Sequence, residues 1–293
     1  MQFGKVENPG EVDFTIPPDH PGTAAALAKG QTGLKEVYVG STSWSRSELK
    51  GFYPRGTKDE LTYYGQQFNS IEFNATFYNN YPPEQIERWR DKTPKDFRFF
   101  PKVHRFISHV KWLNEADRPV EEFCHSVRAF EDRLGMAFMQ MHNNFGPNHE
   151  ERLRAFLDYW PKDVPLAVEL RHTDWFNQPE VAERLYALME RHQVANIIVD
   201  TAGRRDLMHM RLTSPVAFVR FVGAVHPCDA DRIREWVARI QSWKQQGLEK
   251  LYFFVHQNME KESPLLIYQF MEAFNKAFEL QLRQPKQQTL SLF

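Results

Sequence analysis

The amino-acid sequence predicts an α/β protein of the TIM (β/α)8-barrel type, and three observations support this fold class. Eight short β-branched or aromatic runs alternate with longer segments of helical period, an order typical of parallel sheets. The length left after an irregular N-terminal extension is close to the roughly 250 residues typical of such barrels. Charged residues recur near the carboxyl end of most predicted strands, where these barrels carry their active sites.

The predicted extension covers residues 1–35, which are rich in Pro, Gly and Asp and are expected to lie over the domain rather than fold alone. The barrel domain is predicted to span 36–282, and residues 283–293 form a flexible polar tail. An open doubly wound sheet is the alternative fold. It requires a Gly-rich phosphate turn after the first strand, and "GSTSWSRSELKG" contains no G-x-G-x-x-G.

The predicted strands and helices follow one another as βα units. The strands span 37–44, 70–78, 97–104, 135–142, 165–172, 195–201, 216–223 and 251–258. A capping box of Thr57 and Glu60 begins one helix, and Ser263-Pro264 begins the last. Only the sixth unit departs from this strand–helix pattern, because its segment after the strand, "AGRRDLMHMRLTSP", is short and has no apolar stripe. A single helical turn, or no helix, is expected there.

The second strand, "SIEFNATFY" at 70–78, is apolar on one face and polar on the other. Side chains alternate along a strand, so Glu72, Asn74 and Thr76 share the polar face, which is predicted to point into the barrel. The same alternation predicts further inward-facing polar residues on six other strands. These are Arg98, Lys102 and His104, then Gln140 and His142, Glu169 and Arg171, Asp200, Arg220, and finally His256 and Asn258.

Such a cluster indicates a functional site, because an unpaired buried ion costs several kcal/mol. The first hypothesis is an enzyme of hydrolase, isomerase or lyase type, acting by acid–base chemistry on a small phosphorylated or carboxylated, possibly sugar-like, substrate. Arginine side chains suit such anions because they bind them bidentately. The predicted catalytic residues are Glu72, Glu169, Lys102 and Asp200. The predicted substrate-binding residues are Asn74, Gln140, Arg171, Arg220, His256, Asn258, Trp44 and Tyr78, the two aromatic rings offering stacking surfaces unless they only pack at the rim.

Two other kinds of site use the same strand ends. A divalent metal would find carboxylate and imidazole ligands in Glu72, Glu169, Asp200, His104, His142 and His256. The interleaved cations disfavour a metal, and no H-E-x-x-H spacing occurs, so no metal or cofactor is predicted. A non-catalytic scaffold, in which the polar groups satisfy one another, is the remaining alternative.

Composition and charge exclude several classes of protein. The chain has 37 basic and 38 acidic residues, so no whole-molecule field favours nucleic acid or a membrane surface. Cys124 and Cys228 lack metal-ligand spacing and indicate a reducing compartment. No apolar run approaches the roughly 18 residues of a membrane span, and the N-terminus lacks signal-peptide features. We therefore expect a cytoplasmic protein without membrane contact.

Several long motifs resemble the YecE-like family, also described as domain of unknown function 72. The motifs are "VGSTSWSRSELKGFYP", "YYGQQFNSIEFNATFY", "ERWRDKTPKDFRFFPKVHRFISH", "FEDRLGMAFMQMHNNFG", "LAVELRHTDWF" and "YFFVHQN". The resemblance covers most of the chain from residue 36 onward and implies a TIM-barrel fold with no established reaction. One departure is Met141-His142-Asn143, where the family commonly has Leu-Pro-Pro.

The C-terminal sequence "QPKQQTLSLF" ends in Leu290, Leu292 and Phe293. It resembles the short tails by which bacterial proteins dock on the replication sliding clamp, whose usual form is Gln-Leu-Ser-Leu-Phe. The last four residues agree, whereas Thr289 stands at the Gln position. The resemblance implies an alternative role in nucleic-acid repair or replication with the clamp as partner; a tail folded back on the last helix is the other interpretation.

Overall fold

The fold is taken from a computed structural model, which describes residues 5–31 and 33–286. Within these residues the chain forms nine strand segments and nine α-helices. The strands are β1 Glu36–Gly40, β2 Ser70–Phe73, β3 Arg98–Pro101, β4 Ala137–Gln140, β5 Leu166–Glu169, β6 Ala195–Asn196, β7 Ile198–Asp200, β8 Val216–Gly223 and β9 Lys250–Gln257. The helices are α1 Pro21–Leu27, α2 Glu60–Gln67, α3 Ala75–Tyr78, α4 Pro83–Asp91, α5 Asp117–Arg128, α6 Glu150–Tyr159, α7 Pro179–Arg191, α8 Cys228–Gln246 and α9 Ser263–Phe278.

The strands pair in parallel and form three sheets, with the orders β1-β9-β8-β7, β2-β3 and β4-β5-β6. Each predicted strand overlaps an observed one, and the sixth is divided into β6, which pairs with β5, and β7, which pairs with β8. Because parallel strands share one direction, their carboxyl ends lie at the same edge of each sheet. The protein is therefore a mixed α/β protein with parallel sheets, as the sequence predicts.

Apolar side chains pack on both faces of the strands. The larger cluster lies between the strands and the helices, where Phe253 of β9 stacks on Phe270 of α9 with ring centroids 4.0 Å apart. A smaller cluster on the opposite face brings together Phe100, Phe138 and Phe218, one from each sheet. The inner faces of the three sheets thus share one core, and the polar strand ends continue from it.

The N-terminal extension lies over the ends of β7 and β8. The ring of Phe14 packs against Ala202 and Ala224, which follow these two strands, and lies 4.2 Å from the guanidinium of Arg232 in α8. Arg205 donates a hydrogen bond to the carbonyl oxygen of Phe14 at 3.0 Å. The extension therefore fixes two of the loops that follow strands.

Three local features differ from or refine the predictions. The second strand ends at Phe73, and α3 follows, with Thr76 donating to the carbonyl oxygens of Phe73 and Lys102 at 3.2 and 2.8 Å. The predicted capping box is wrong, because Asp59 is the N-cap of α2 and accepts from the Thr62 amide at 2.9 Å. The sixth unit lacks a regular helix, as expected, and has only short 3₁₀ turns at Ala202–Leu207.

The last described residues lie against α2. Arg283 donates to the carbonyl oxygens of Gly65 and Phe68 at 2.7 and 3.2 Å. The proposed clamp-binding residues, Leu290, Leu292 and Phe293, lie outside the described residues, so that docking stays a prediction. Among the described helices, none combines the length and apolar character needed to cross a membrane.

Replacing Phe14 by Ala should lower the free energy of unfolding by about 3 kcal/mol, because a buried ring is lost from the contact between the extension and α8. Thermal or urea unfolding measures the change. Phe106→Ala is the matched control, since that ring is 40% exposed. Equal stability of Phe14→Ala and wild type would mean that the extension is not part of the folded unit.

Candidate functional site

The guanidinium of Arg220 on β8 contacts side chains from four other strands. Its Nε and Nη2 donate to the carboxylate of Glu72 on β2 at 2.8 and 2.9 Å. Its Nη1 donates to Glu169 on β5 and, at 3.4 Å, to the amide oxygen of Gln140 on β4. His256 on β9 places its Nε2 2.9 Å from Glu72 and 3.2 Å from the guanidinium. These five residues were all predicted to face inward.

A second group of contacts centres on the amide oxygen of Gln140. Besides Arg220, it accepts from Lys102, which follows β3, at 3.2 Å and from Arg171, which follows β5, at 2.9 Å. Arg171 also donates to Glu169 through its Nε at 2.5 Å. Three cationic side chains therefore converge on one uncharged oxygen.

The charges of this group do not cancel. Burial opposes ionisation of Glu169, but Arg171 and Arg220 outweigh it and lower its pKa to about 2. Burial likewise opposes ionisation of Glu72, and Arg220 holds its pKa well below the usual value. Within the described part of the chain, Lys102 makes no salt bridge, and burial followed by Arg220 lowers its pKa to about 8. Near pH 7 the group holds three cations and two carboxylates.

A cavity of about 400 Å³ adjoins the ion pairs and is lined by Trp44, Asn74, Tyr78 and Glu260, among others. Asn74 connects the cavity to the ion pairs, because it lines the cavity and its amide donates to the carboxylate of Glu72 at 3.0 Å. One face of Trp44 is taken by the stacked ring of Phe73, whereas Tyr78 is 60% exposed. Three predicted substrate-binding residues therefore line one cavity.

Two residues of this region were not found from the sequence. Glu260 lies in the turn after β9 and accepts from the hydroxyl of Ser263 at 2.7 Å; burial raises its pKa. His109 packs edge-on against Phe77 with ring centroids 5.0 Å apart, and burial followed by Lys102 lowers its pKa to about 4. Both lie beyond the strands, where alternation gives no signal. The only sequence signal for Glu260 is its position, two residues past the end of the last predicted strand.

Asp200 does not belong to the site. It accepts from the indole nitrogen of Trp236 at 2.7 Å and pairs with Arg232 at 2.9 Å, both on α8. Val199 packs instead in the smaller apolar cluster, which also contains Phe100, Phe138 and Phe218. The predicted inward orientation of Asp200 is wrong because the more polar phase of "ANIIVDT", which holds Asn196 and Asp200, faces away from that cluster, whereas the apolar phase of Ala195, Ile197 and Val199 packs in it.

Three more predicted residues lie apart from the ion pairs. His104 accepts from the Phe106 amide at 3.3 Å and borders a separate surface cleft. His142 packs beside Trp112 with ring centroids 5.3 Å apart, and Asn258 is exposed. The considered metal ligands are therefore not all brought together. No group of three or more His, Cys, Asp or Glu side chains in residues 5–31 and 33–286 is arranged to hold a metal ion.

Fold and site together define an α/β protein with parallel strands and a polar cluster at the strand ends. Residues 38–289 match the family described as protein of unknown function DUF72, and the chain belongs to that family. The YecE-like resemblance noted in the sequence is thereby confirmed.

The similarity extends to relatives and solved structures. The UPF0759 protein YecE of Escherichia coli K12 is 29% identical over 262 residues, covering 82% of this chain and 93% of that protein. The UPF0759 protein YunF of Bacillus subtilis is 27% identical over 160 residues, covering 49% of this chain and 53% of that protein. The crystal structure of the DUF72 family protein TM1631 from Thermotoga maritima has a TM-score of 0.65 at 24% identity, covering 83% of this chain and 99% of that one. A DUF72 family protein from Enterococcus faecalis, EF0366, gives 0.65 at 20% identity, covering 84% and 99%.

Arg220→Met should lower the free energy of unfolding by about 3–5 kcal/mol, because Glu72 and Glu169 would stay buried without their shared cation. Lys102→Met should instead raise it by about 1–3 kcal/mol, since it removes a buried charge without a carboxylate partner. Denaturant unfolding at neutral pH measures both changes.

The advantage of Lys102→Met should depend on pH. The pKa of Lys102 is lowered on folding, so the cost of its charge is fully present below pH 8 and fades as the pH rises from about 8 towards its ordinary 10.5. Stabilised Arg220→Met, or strongly destabilised Lys102→Met, would contradict this distribution of charge.

Proposed function

We propose that this protein is an enzyme that binds a small phosphorylated or carboxylated substrate at the strand ends and transforms it by acid–base chemistry. The convergence of Lys102, Arg171 and Arg220 on the amide oxygen of Gln140 carries this proposal. Guanidinium and ammonium groups are the usual protein partners of phosphate and carboxylate. An added anion would balance the excess positive charge of the group.

The proposal includes a closed (β/α)8 barrel, in which every strand end surrounds one axis. Contacts between the sheets support closure: the Glu72 amide donates to the Ser41 carbonyl at 3.0 Å, and the Val103 amide donates to the Phe138 carbonyl at 2.8 Å. Lys102 and Phe138 also form an isolated parallel bridge. In such barrels the residues that follow the strands supply the active site.

The proposed roles follow from the ionisation of each group. Lys102 and Arg171 bind the anionic part of the substrate, because Lys102 is buried, Arg171 is partly buried, and both donate to Gln140. Glu260 suits a proton donor, since burial raises its pKa and it lines the cavity. Glu72 and Glu169 are held ionised by arginines, so they fit a proton acceptor or the support of Arg220.

A scaffold protein whose polar groups only satisfy one another fits this geometry less well. In such a scaffold every buried cation would have a carboxylate partner. Lys102 instead donates to a neutral amide and lies over the ring of Phe77, 4.4 Å from its centroid. The ammonium of Lys102, which has no carboxylate partner among the described residues, therefore favours a ligand site over a purely structural cluster.

Sulfate should raise the midpoint of thermal unfolding of wild type more than chloride at equal ionic strength, because a bound anion stabilises the folded state. The shift should be present below pH 8 and decline above it, as Lys102 loses its proton. Sulfate keeps its charge over this range, so only the protein titrates.

Lys102→Met should lose most of the sulfate-specific shift, and comparison with it removes the general salting effect of sulfate. Lys92→Met is the matched control, since that exposed lysine pairs with Asp59 on the surface. The same sulfate shift in Lys102→Met and wild type would refute an anion site at Lys102.

A further inference from the structure

Lys102 has surroundings unlike those of an ordinary binding lysine. It follows β3 in an inward position and is 9% exposed. Its hydrogen bond goes to the amide oxygen of Gln140 at 3.2 Å, and its ammonium lies 4.4 Å from the centroid of the Phe77 ring and 5.8 Å from that of Phe138. Among the described residues, no carboxylate pairs with it, whereas two arginines share its acceptor.

These surroundings favour the neutral amine. Burial penalises the charged form, and the positive charge of Arg220 adds to that penalty, while Glu72 and Glu169 only partly offset it. The pKa of Lys102 falls to about 8, so the neutral amine, although still the minor form near neutral pH, is far more populated than for an ordinary lysine. A lysine desolvated beside other cations is the form that enzymes use as a nucleophile towards carbonyl groups.

We propose that Lys102 is a nucleophile that forms an imine with a carbonyl compound bearing an anionic group. The inference rests on the proposed anion site and names its substrate class: an aldehyde or ketone carrying carboxylate or phosphate. Arg171 and Arg220 lie beside the amine, on the same Gln140 oxygen, and hold the anionic group within reach of it. The amine then attacks the carbonyl carbon.

The bond changes balance without a further reactant. The lone pair of Nζ forms a C–N bond as the C=O π electrons move to oxygen, which gives a carbinolamine. The C–O bond then breaks, and its oxygen leaves as water with two of the three protons of the original ammonium. The product is an iminium, C=N⁺–H, with the same net charge as the starting ammonium.

The iminium withdraws electrons from the neighbouring carbon, so the next step breaks an adjacent C–H or C–C bond. This places the reaction among isomerisations or aldol-type cleavages, both of which require proton transfer to or from carbon. Glu260 suits the donor of that proton because it lines the adjoining cavity with a raised pKa. Water regenerates the free amine by the reverse of the first step.

Borohydride trapping tests the proposal, because it reduces an iminium to a stable secondary amine. Wild-type protein is incubated with pyruvate or with dihydroxyacetone phosphate, reduced, and analysed by intact mass and peptide mapping. We expect one adduct, on the peptide that contains Lys102. The two probes distinguish carboxylate from phosphate as the anionic group.

Lys102→Arg is the main control, since it keeps the positive charge but has no nucleophilic amine, and it should lose the adduct. Lys92→Arg should keep both the adduct and the sulfate-dependent stabilisation, and thermal unfolding confirms that each variant is folded. Labelling spread over surface lysines and unchanged in Lys102→Arg overturns the imine. Absence of an adduct with sulfate stabilisation intact overturns the imine and leaves the anion site, whereas absence of both effects overturns the two proposals together.

Discussion

The bidentate contact of Arg220 with Glu72, extended to Glu169, is the constraint on which the site depends. Arg220 comes from the sheet of β8, Glu72 from the β2-β3 sheet and Glu169 from the β4-β5-β6 sheet, so one guanidinium ties the three sheets together. All three side chains are buried. Buried charges persist only when their partners are well placed, and this requirement fixes how the strand ends are aligned. The positions of Gln140 and Lys102 follow from that alignment.

Alternation along the strands was enough to find most of this group. Around Glu72 the neighbours on the other face, Ile71 and Phe73, are plainly apolar, so the phase of the strand could be determined from sequence. The same holds for Glu169 and Arg220, each flanked by apolar neighbours in sequence. The mixed α/β fold with parallel strands was predictable for the same reason, because apolar runs and helical stripes alternate along the whole domain.

Alternation failed where the polar phase of a strand faces the helices or where the strand ends. Asp200 shares its phase with Asn196 and Ile198, and its charge suggested an inward position, whereas its carboxylate contacts Trp236 and Arg232 of α8. The residues after Phe73 turn into α3, so Asn74 reaches the site from a helix start rather than from a strand. Glu260 and His109 come from irregular segments, whose side-chain positions depend on contacts with distant parts of the chain. Since family membership assigns no reaction, the chemistry has to be inferred from such contacts.

The uncharged character of Gln140 has a consequence of its own. Its amide oxygen accepts hydrogen bonds from three cations, but the amide group carries no negative charge to balance them. Deamidation would exchange that nitrogen for oxygen and leave the size and shape of the side chain almost unaltered. The result would be a third carboxylate, which balances the three cations and gives Lys102 a partner of opposite charge. In the proposed anion site, one atom of one side chain therefore determines whether the cluster has an excess of positive charge or is balanced.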